Sequence, residues 1–139
     1  MKGDPIPDPH HVVRLCKPKH IDEGVIQAGA FMLKMGEENL SVDWLEYLNC
    51  STRENEINEV RHIYSEKFNR VPAHALIAVL NVGKLREKVH KESGRNLNVL
   101  HNPEVNDPAH SGVYDLKQDD EMIAELILES VLETHSAHG

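Results

Sequence analysis

Histidine is the residue with the most obvious chemical potential in this chain, which has 10 histidines among its 139 residues. Histidine is the side chain most often recruited for metal binding and for proton transfer near neutral pH. The densest candidate group lies in the segment HNPEVNDPAH, where His101, Asp107 and His110 follow an H-x5-D-x2-H spacing. Two imidazoles and one carboxylate can form an open three-ligand site for a catalytic zinc or iron, with a position left for water.

The same three side chains can instead act as an acid and a base without a metal. Their spacing matches no known signature, and polar loops between strands contain these residue types in any case, although functional residues do concentrate on loops. We therefore predict His101, Asp107 and His110 as the candidate catalytic residues and the candidate metal ligands. No cofactor is predicted from a motif, and a divalent metal is the alternative that this loop leaves open. A purely structural loop is the competing interpretation.

A second reactive-looking stretch is DPHHVVRLCKPKH, which has three histidines, one cysteine and three cations in 13 positions. His10 and His11 are adjacent, so in a strand they point to opposite faces and cannot easily share a metal. The neighbouring cation Lys17 could lower the pKa of the Cys16 thiol, but a reactive cysteine also needs a base. We predict a strand with polar ends and a packed or half-exposed free cysteine.

Arg14 is the fourth candidate site residue, because an arginine in a first strand can hold an anionic substrate through two parallel hydrogen bonds. The segments VVRL, AGAF and LSVDW resemble nucleotide-binding transferases, including the ADP-ribosyltransferase group, which use an arginine in this way. The resemblance implies a nucleotide-binding, transferase-like protein anchored by Arg14. The aromatic-flanked glutamate motif of that group has no counterpart here. The alternative is a solvent-facing arginine paired with a surface acid.

Four segments also carry a broader resemblance that covers most of the chain. HVVRL, AGAF, LSVDWLEY and DPAHSGV are similar to small bacterial proteins of uncharacterised function. The resemblance implies a bacterial cytosolic protein and draws attention to the His110 loop, and it supplies no catalytic assignment.

Several function classes are disfavoured by what the sequence lacks. It has no GxSxG, P-loop, GxGxxG or HExxH motif. Cys16 and Cys50 belong to no CxxC pair, which argues against a disulfide framework or a cysteine-rich zinc site. The net charge of −8 works against nucleic-acid binding, and no apolar run is long enough for a membrane span. The beginning MKGDPIPDP lacks the apolar core of a signal peptide, so we predict a cytoplasmic protein.

The charge is distributed unevenly along this acidic chain. Residues 84–95 contain five cations and two acids, whereas residues 115–133 contain seven acids and one lysine. Our leading hypothesis is an accessory or regulatory binding protein that uses one of these two segments to contact a protein partner, or that forms a homodimer. Two solvated helix faces that attract each other are the simpler alternative. The enzyme hypothesis built on His101, Asp107, His110 and Arg14 remains open beside it.

The elements that must position these residues follow from hydrophobic periodicity. The mixed order of strands and helices predicts a single α+β domain over residues 1–139, with a mixed or partly antiparallel sheet of about four to five strands and helices packed on it. Residues 1–9 are predicted as an extended arm and residues 134–139 as a frayed tail. The predicted strands include 11–16, 25–33, 73–82 and 97–101, and the predicted helices are 42–48, 51–69, 83–94 and 119–133.

Overall fold

The computed structural model describes residues 3–139 and shows, within them, three α-helices, a seven-stranded sheet and a separate two-stranded sheet. The large sheet has the order β1-β7-β8-β5-β2-β6-β9, and the small one pairs β3 with β4. The strands are β1 Asp4–Pro5, β2 His11–Cys16, β3 Ile21–Asp22, β4 Val25–Ile26, β5 Leu40–Trp44, β6 Leu76–Asn81, β7 Asn98–His101, β8 His110–Tyr114 and β9 Val131–Ser136. The helices are α1 Arg53–Lys67, α2 Val82–Ser93 and α3 Glu121–Glu129.

Polar side chains fix the beginnings of the three helices. The Thr52 hydroxyl accepts a hydrogen bond from the Asn55 amide at 3.1 Å, one residue later than the Ser51 cap that the sequence suggests. Asn81 and Asp120 cap α2 and α3 in the same way. Gly94, with φ +77°, ends α2 in the left-handed conformation that glycine adopts without strain, as predicted.

The sheet separates two apolar layers. β2 and β6 are neighbouring inner strands, the fifth and sixth in the order of seven, and their side chains alternate between the two faces of the sheet. Val12 and Leu80 pack on one face with α2 and α3, whereas Val13 and Val79 pack on the other face with α1. The predicted buried central strand is thereby confirmed as β6.

The α+β class is confirmed, but the predicted strand number of four to five is too low, and the seven strands pair in antiparallel fashion throughout. One reason is β5, which was predicted as the helix 42–48. In LSVDW the apolar Leu40 and Val42 alternate with Ser41 and Asp43, a strand period that neighbouring strands reinforce. Pairing between distant segments thus outweighs a weak local helix preference.

Two other segments differ from the sequence prediction. The strand predicted for residues 25–33 is limited to β4, because Ala28–Phe31 forms a 3-10 turn, and β2 pairs with β5 and β6 instead. α3 ends at Glu129 and the chain continues as β9, so the expected frayed tail is a strand paired with β6. Ala137 beyond it is buried and bonds to the Ala75 carbonyl.

The predicted N-terminal arm, residues 1–9, begins with two residues that lie outside the described part of the chain. Within the rest of the arm, Asp4–Pro5 is extended and pairs with β7, Ile6 is buried in the core, and a turn closed by the His10 amide and the Pro7 carbonyl at 3.0 Å follows. Across residues 3–139, no helix has both the length and the apolar character needed to cross a membrane.

Candidate functional site

A crevice opens where β2 and β5 separate. Within residues 3–139 these strands pair at Val12–Trp44 and Val13–Asp43, and the pairing stops there although β2 continues to Cys16. The Arg14 side chain bridges the gap, because its Nε donates to the Ala30 carbonyl at 2.6 Å and its Nη1 donates to the Ser41 carbonyl at 2.8 Å. The resulting crevice has a volume of about 320 Å³.

A pair of buried carboxyl groups lies at the crevice, where Asp43 is a lining residue and Asp107 lies behind it. Asp43 on β5 and Asp107 in the loop before β8 are 2% and 0% exposed, and their side chains are hydrogen-bonded to each other. Asp43 Oδ2 and Asp107 Oδ1 are fully buried, and no donor group within residues 3–139 reaches either atom. Because a carboxylate only accepts hydrogen bonds, the contact requires a proton on one of the two groups.

The upward pKa shift of this pair falls on Asp43. Burial, reinforced by the hydrogen bond to Asp107 and by its negative charge, raises the pKa of Asp43 from 3.8 to about 9. This is the behaviour expected when two carboxyl groups share a poorly solvated site, since both cannot ionise without strong repulsion. Asp43 is therefore a neutral carboxylic acid at pH 7, able to donate a hydrogen bond or a proton.

Lys67 at the end of α1 supplies the positive charge next to this pair. Its Nζ lies 3.1 Å from Asp107 Oδ2 and 2.8 Å from Glu104 Oε1. Burial acts to lower the pKa of Lys67, but the hydrogen bonds to Glu104 and Asp107 outweigh that effect and raise it. Lys67 thus stays charged and offsets the charge of the carboxylate behind Asp43.

Two further side chains of the crevice lie beside the carboxyl pair. His110 is the cross-strand neighbour of Asp43, and its Nδ1 is 2.8 Å from the Asn102 carbonyl. A carbonyl only accepts, so Nδ1 donates and Nε2 is left as the basic nitrogen. Tyr64, three residues before Lys67 on α1, also lines the crevice. Burial raises the pKa of Tyr64 well above its usual value, so it remains a neutral phenol.

The predicted trio of His101, Asp107 and His110 is not brought together. His101 pairs with Ser111, the residue after His110, and successive strand residues point to opposite faces of a sheet. The His101 ring accordingly packs at 5.2 Å from Trp44 and at 4.9 Å from Tyr47, measured between ring centroids.

The three predicted metal ligands do not converge on one point in the described residues, and their metal-binding role stays a prediction. His101 Nε2 is 2.7 Å from the Pro108 carbonyl, and His110 Nδ1 is used by Asn102, so each ring already has a backbone partner. In the described residues, no group of three or more His, Cys, Asp or Glu side chains is arranged to hold a metal ion. Asp107 and His110 remain relevant because both lie next to Asp43.

The Arg14 side chain differs from the surface ion pair that we considered as an alternative. Its two recorded hydrogen bonds go to backbone carbonyls, and burial lowers the pKa of the guanidinium. Arg14 lines the crevice together with Lys17, Lys34 and Lys67. The structure thus places this predicted anion-binding residue in a concave site, while the role itself stays a prediction.

The remaining reactive-looking residues of the first strand have structural partners. His10 Nδ1 accepts from the Trp44 indole at 3.0 Å, and His11 Nδ1 lies 2.7 Å from Glu46 Oε2. Burial raises the pKa of Cys16 to about 11, which is opposite to the lowering considered from its neighbouring cations. A packed, unactivated thiol is the interpretation that the structure supports.

The basic and acidic segments near the C-terminus face each other. Lys88 on α2 lies 3.0 Å from Glu129 on α3, and Arg95 lies 3.2 Å from Asp120. Part of the uneven charge is therefore compensated within the molecule. Docking of a protein partner on either helix, and a homodimer, stay predictions.

Asp43, Tyr64 and Lys67 are the site residues that sequence reasoning missed. They come from a strand and a helix that are distant in sequence from the loop containing Asp107. The available signal was the alternation in LSVDW, which puts Ser41 and Asp43 together on the strand face opposite Leu40 and Val42. Lys67 and Tyr64 gave no comparable signal, because a lysine and a tyrosine on an amphipathic helix are ordinary.

No protein-family model, curated protein sequence or solved structure matches this chain. The resemblance to small bacterial proteins and the resemblance to nucleotide-binding transferases therefore stay predictions.

Proposed function

We propose that this protein is an enzyme that binds a small organic anion in the crevice between β2 and β5 and transfers a proton to it from Asp43. The observation that carries the proposal is the buried Asp43–Asp107 carboxyl pair, because Asp43 lines a crevice whose other lining residues include several basic side chains. Titratable groups with strongly shifted pKa values concentrate at functional sites, and two buried carboxyl groups that share a proton are one such arrangement.

The charges around the crevice favour an anionic ligand. Four of its lining side chains in the described region are lysine or arginine, namely Arg14, Lys17, Lys34 and Lys67. The lining acids there are Glu37 and Asp43, and Asp43 is neutral at pH 7. A concave surface with excess positive charge attracts anions, even in a chain whose net charge is −8.

The carboxyl pair supports proton transfer. In the proposed step, water attacks the acyl or phosphoryl centre of a bound ester anion and loses a proton to His110 Nε2. The ester bond breaks, its leaving oxygen takes the carboxyl proton of Asp43, and Asp43 becomes a carboxylate. The ammonium group of Lys67 attracts that new charge, which is why it acts to lower the pKa of Asp43. A proton from solvent then restores the acid. His110 Nε2, on the neighbouring strand, is the group placed to accept a proton from water or substrate.

The experiment combines ligand stabilisation with an ester panel. Acetate, citrate, phosphate and pyrophosphate are tested by thermal shift, and the monophenyl esters of succinate and phosphate, which are anions whose leaving group needs a proton, are tested for release of phenol. We expect at least one anion to raise the melting temperature. We also expect turnover to fall about 100-fold or more in Asp43→Asn, as for loss of a general acid. Asp22→Asn, an exposed site on β3, is the matched control and should retain activity.

Two results would contradict the proposal. One is an absence of stabilisation by any anion of the panel. The other is an Asp43→Asn variant that is as active as wild type on every ester that wild type turns over. The pH profile adds a third readout, because a step that needs protonated Asp43 should slow as the pH rises through about 9.

A further inference from the structure

A cluster of basic side chains lies at the crevice, on the turn that follows β2 and just after the 3-10 turn Ala28–Phe31. We define it as the basic rim, formed by Lys17, Lys19, His20 and Lys34. The first three lie at the turn between β2 and β3, and Lys34 follows the 3-10 turn Ala28–Phe31. Lys17, His20 and Lys34 line the crevice, and the Lys19 side chain is within hydrogen-bonding reach of Lys34.

The basic rim holds like charges close together. The contact with Lys19 is the largest cause that lowers the pKa of Lys34, and Lys17 adds to it through its charge. Burial first, and then the nearby cations, lower the pKa of His20 in the same way. Glu37 is the acid beside Lys34, and its Oε1 already accepts the Lys34 backbone amide at 2.8 Å. A bound anion would relieve this repulsion.

The backbone holds the basic rim in place before any ligand binds. The His20 amide donates to the Lys17 carbonyl at 2.9 Å, and the Gln27 amide donates to the His20 carbonyl at 2.8 Å. The His20 ring lies over Gly29, where an added Cβ would come within 3.0 Å of its Cδ2. Gly29 therefore permits a close approach that larger residues would disturb, and it fixes the imidazole at the crevice.

We infer that the basic rim binds the phosphate group of a soluble phosphorylated small molecule, whose organic part occupies the crevice towards Asp43. This inference rests on the proposed function and names its substrate class. A phosphate monoester carries nearly two negative charges and three acceptor oxygens, which matches several converging cations better than the two oxygens of a carboxylate do. Leu15, Ala30 and Phe68 supply apolar surface for the organic part.

The size of the crevice limits the ligand. A volume of about 320 Å³ is near the lower end of small-molecule sites, which span roughly 300–1,000 Å³. A phosphorylated compound with a small organic part fits this space, whereas a folded macromolecule would contact the mouth alone.

The first test is isothermal titration calorimetry with pyrophosphate, inorganic phosphate and acetate on the full chain. We expect pyrophosphate and phosphate to bind more tightly than acetate, and Lys34→Gln and Lys19→Gln to weaken phosphate binding by about tenfold each, which corresponds to about 1.4 kcal/mol. Lys91→Gln removes an exposed lysine of α2 far from the crevice in the fold and is the matched control. The inference would be overturned if the rim variants and the control lost phosphate affinity equally, or if the protein bound phosphate no more tightly than acetate.

A second arm separates a soluble phosphate from a lipid headgroup. Vesicles of phosphatidylcholine containing phosphatidic acid are sedimented with the protein, and vesicles of phosphatidylcholine alone are the control. We expect the protein to remain in the supernatant while it binds pyrophosphate in solution. Sedimentation with phosphatidic acid vesicles, together with no binding of soluble phosphate, would overturn the assignment to a soluble ligand.

The Asp43→Asn variant distinguishes a failure of this inference from a failure of the proposed function. Because the rim lysines bind the anion and Asp43 supplies the proton, Asp43→Asn should keep its pyrophosphate affinity within about threefold while losing turnover. Phosphate binding that depends on the rim, with no role for Asp43 in turnover, would refute the proposed function alone. Turnover that depends on Asp43 but is indifferent to Lys19 and Lys34 would refute the phosphate inference alone.

Discussion

The two faces of the strand β5 present contrasting chemistry. Trp44 lies on one face, within a group of rings that includes His10, Tyr47 and His101. Asp43, its neighbour in sequence, lies on the other face and lines the crevice. On the first face the indole and the His101 ring have hydrogen-bond partners. On the second, two buried carboxyl oxygens lack a donor within the described chain.

This difference shows that the type of a residue does not by itself tell whether its side chain is available for chemistry. Histidines look reactive by type, but the rings of His10 and His101 bond to an indole and to a carbonyl and pack among aromatic side chains outside the crevice. Asp43 and Asp107 look ordinary in the sequence. Because they are buried together without enough hydrogen-bond donors, the pair must retain a proton. In this protein the chemistry is expected where hydrogen bonding is incomplete, and the number of histidines is a weaker guide.

The largest effect is expected from removing the cation beside the carboxyl pair. Lys67→Met leaves Asp107, which is 0% exposed, without its ammonium partner. Breaking a buried ion pair in this way costs about 3–5 kcal/mol of unfolding free energy. Urea denaturation at pH 7 measures the loss, and Lys91→Met is the control, expected to change stability by less than about 0.5 kcal/mol. Similar stabilities for the two variants would mean that Lys67 does not compensate a buried charge.

A smaller loss is expected from Arg14→Lys. Lysine keeps the charge but cannot reproduce the fork that bonds to the Ala30 and Ser41 carbonyls together. The loss of one hydrogen bond from a charged donor should lower the unfolding free energy by about 1.5–3 kcal/mol. Urea denaturation again measures it. Unchanged stability would show that Arg14 does not hold the separated strands β2 and β5.

The pH dependence of stability tests the carboxyl pair itself. Because the folded-state pKa of Asp43 is raised from 3.8 to about 9, the folded protein holds one more proton than the unfolded chain between these values. That contribution is complete below the unfolded pKa and is lost as the pH rises through 9, with a slope of at most about 1.4 kcal/mol per pH unit.

The amide in Asp43→Asn imitates the protonated carboxyl and does not titrate. Its stability relative to wild type should therefore increase as the pH rises from 6 to 9, measured by urea denaturation at each pH. A stability difference between the two proteins that is constant over this range would contradict the shared proton.

The smallest effect is expected on the histidine face. His10→Phe preserves a ring beside Trp44 but removes the acceptor of the indole hydrogen bond. The expected loss is about 1 kcal/mol, the value of one ordinary hydrogen bond. The ester and phosphate assays should be unaffected. A large loss of activity in this variant would place chemistry on the face that we assign to packing.

The sequence was informative wherever local physics determines structure. The amphipathic period predicted α1, and the basic helix ending at Gly94 is α2. The aliphatic run around Leu80 predicted a buried strand. Each of these sequence patterns lies within one segment. The tertiary contacts therefore favour the same secondary structure that the local pattern predicts.

The wrong predictions concern segments whose structure depends on contacts with distant parts of the chain. β5 and β9 become strands because β8, β2 and β6 supply hydrogen-bonding partners that are far away in the sequence. The candidate site depends on the same long-range pairing, because Asp43 meets Asp107 only after β5 and β8 align. Sequence reasoning identified Arg14, Asp107 and His110, but it grouped the last two with His101, which the alternation of β7 and β8 puts on the other face.

The most direct test of the shared proton is a titration of the Asp43 side-chain carboxyl carbon by ¹³C NMR from pH 4 to pH 10. The signal is assigned from its disappearance in Asp43→Asn. The account predicts a midpoint near 9 in the wild-type protein, shifted downward in Asp107→Asn, where the negative charge beside Asp43 is removed. A midpoint near 4, the usual value for an aspartic acid, would contradict the neutral acid on which the proposed chemistry depends.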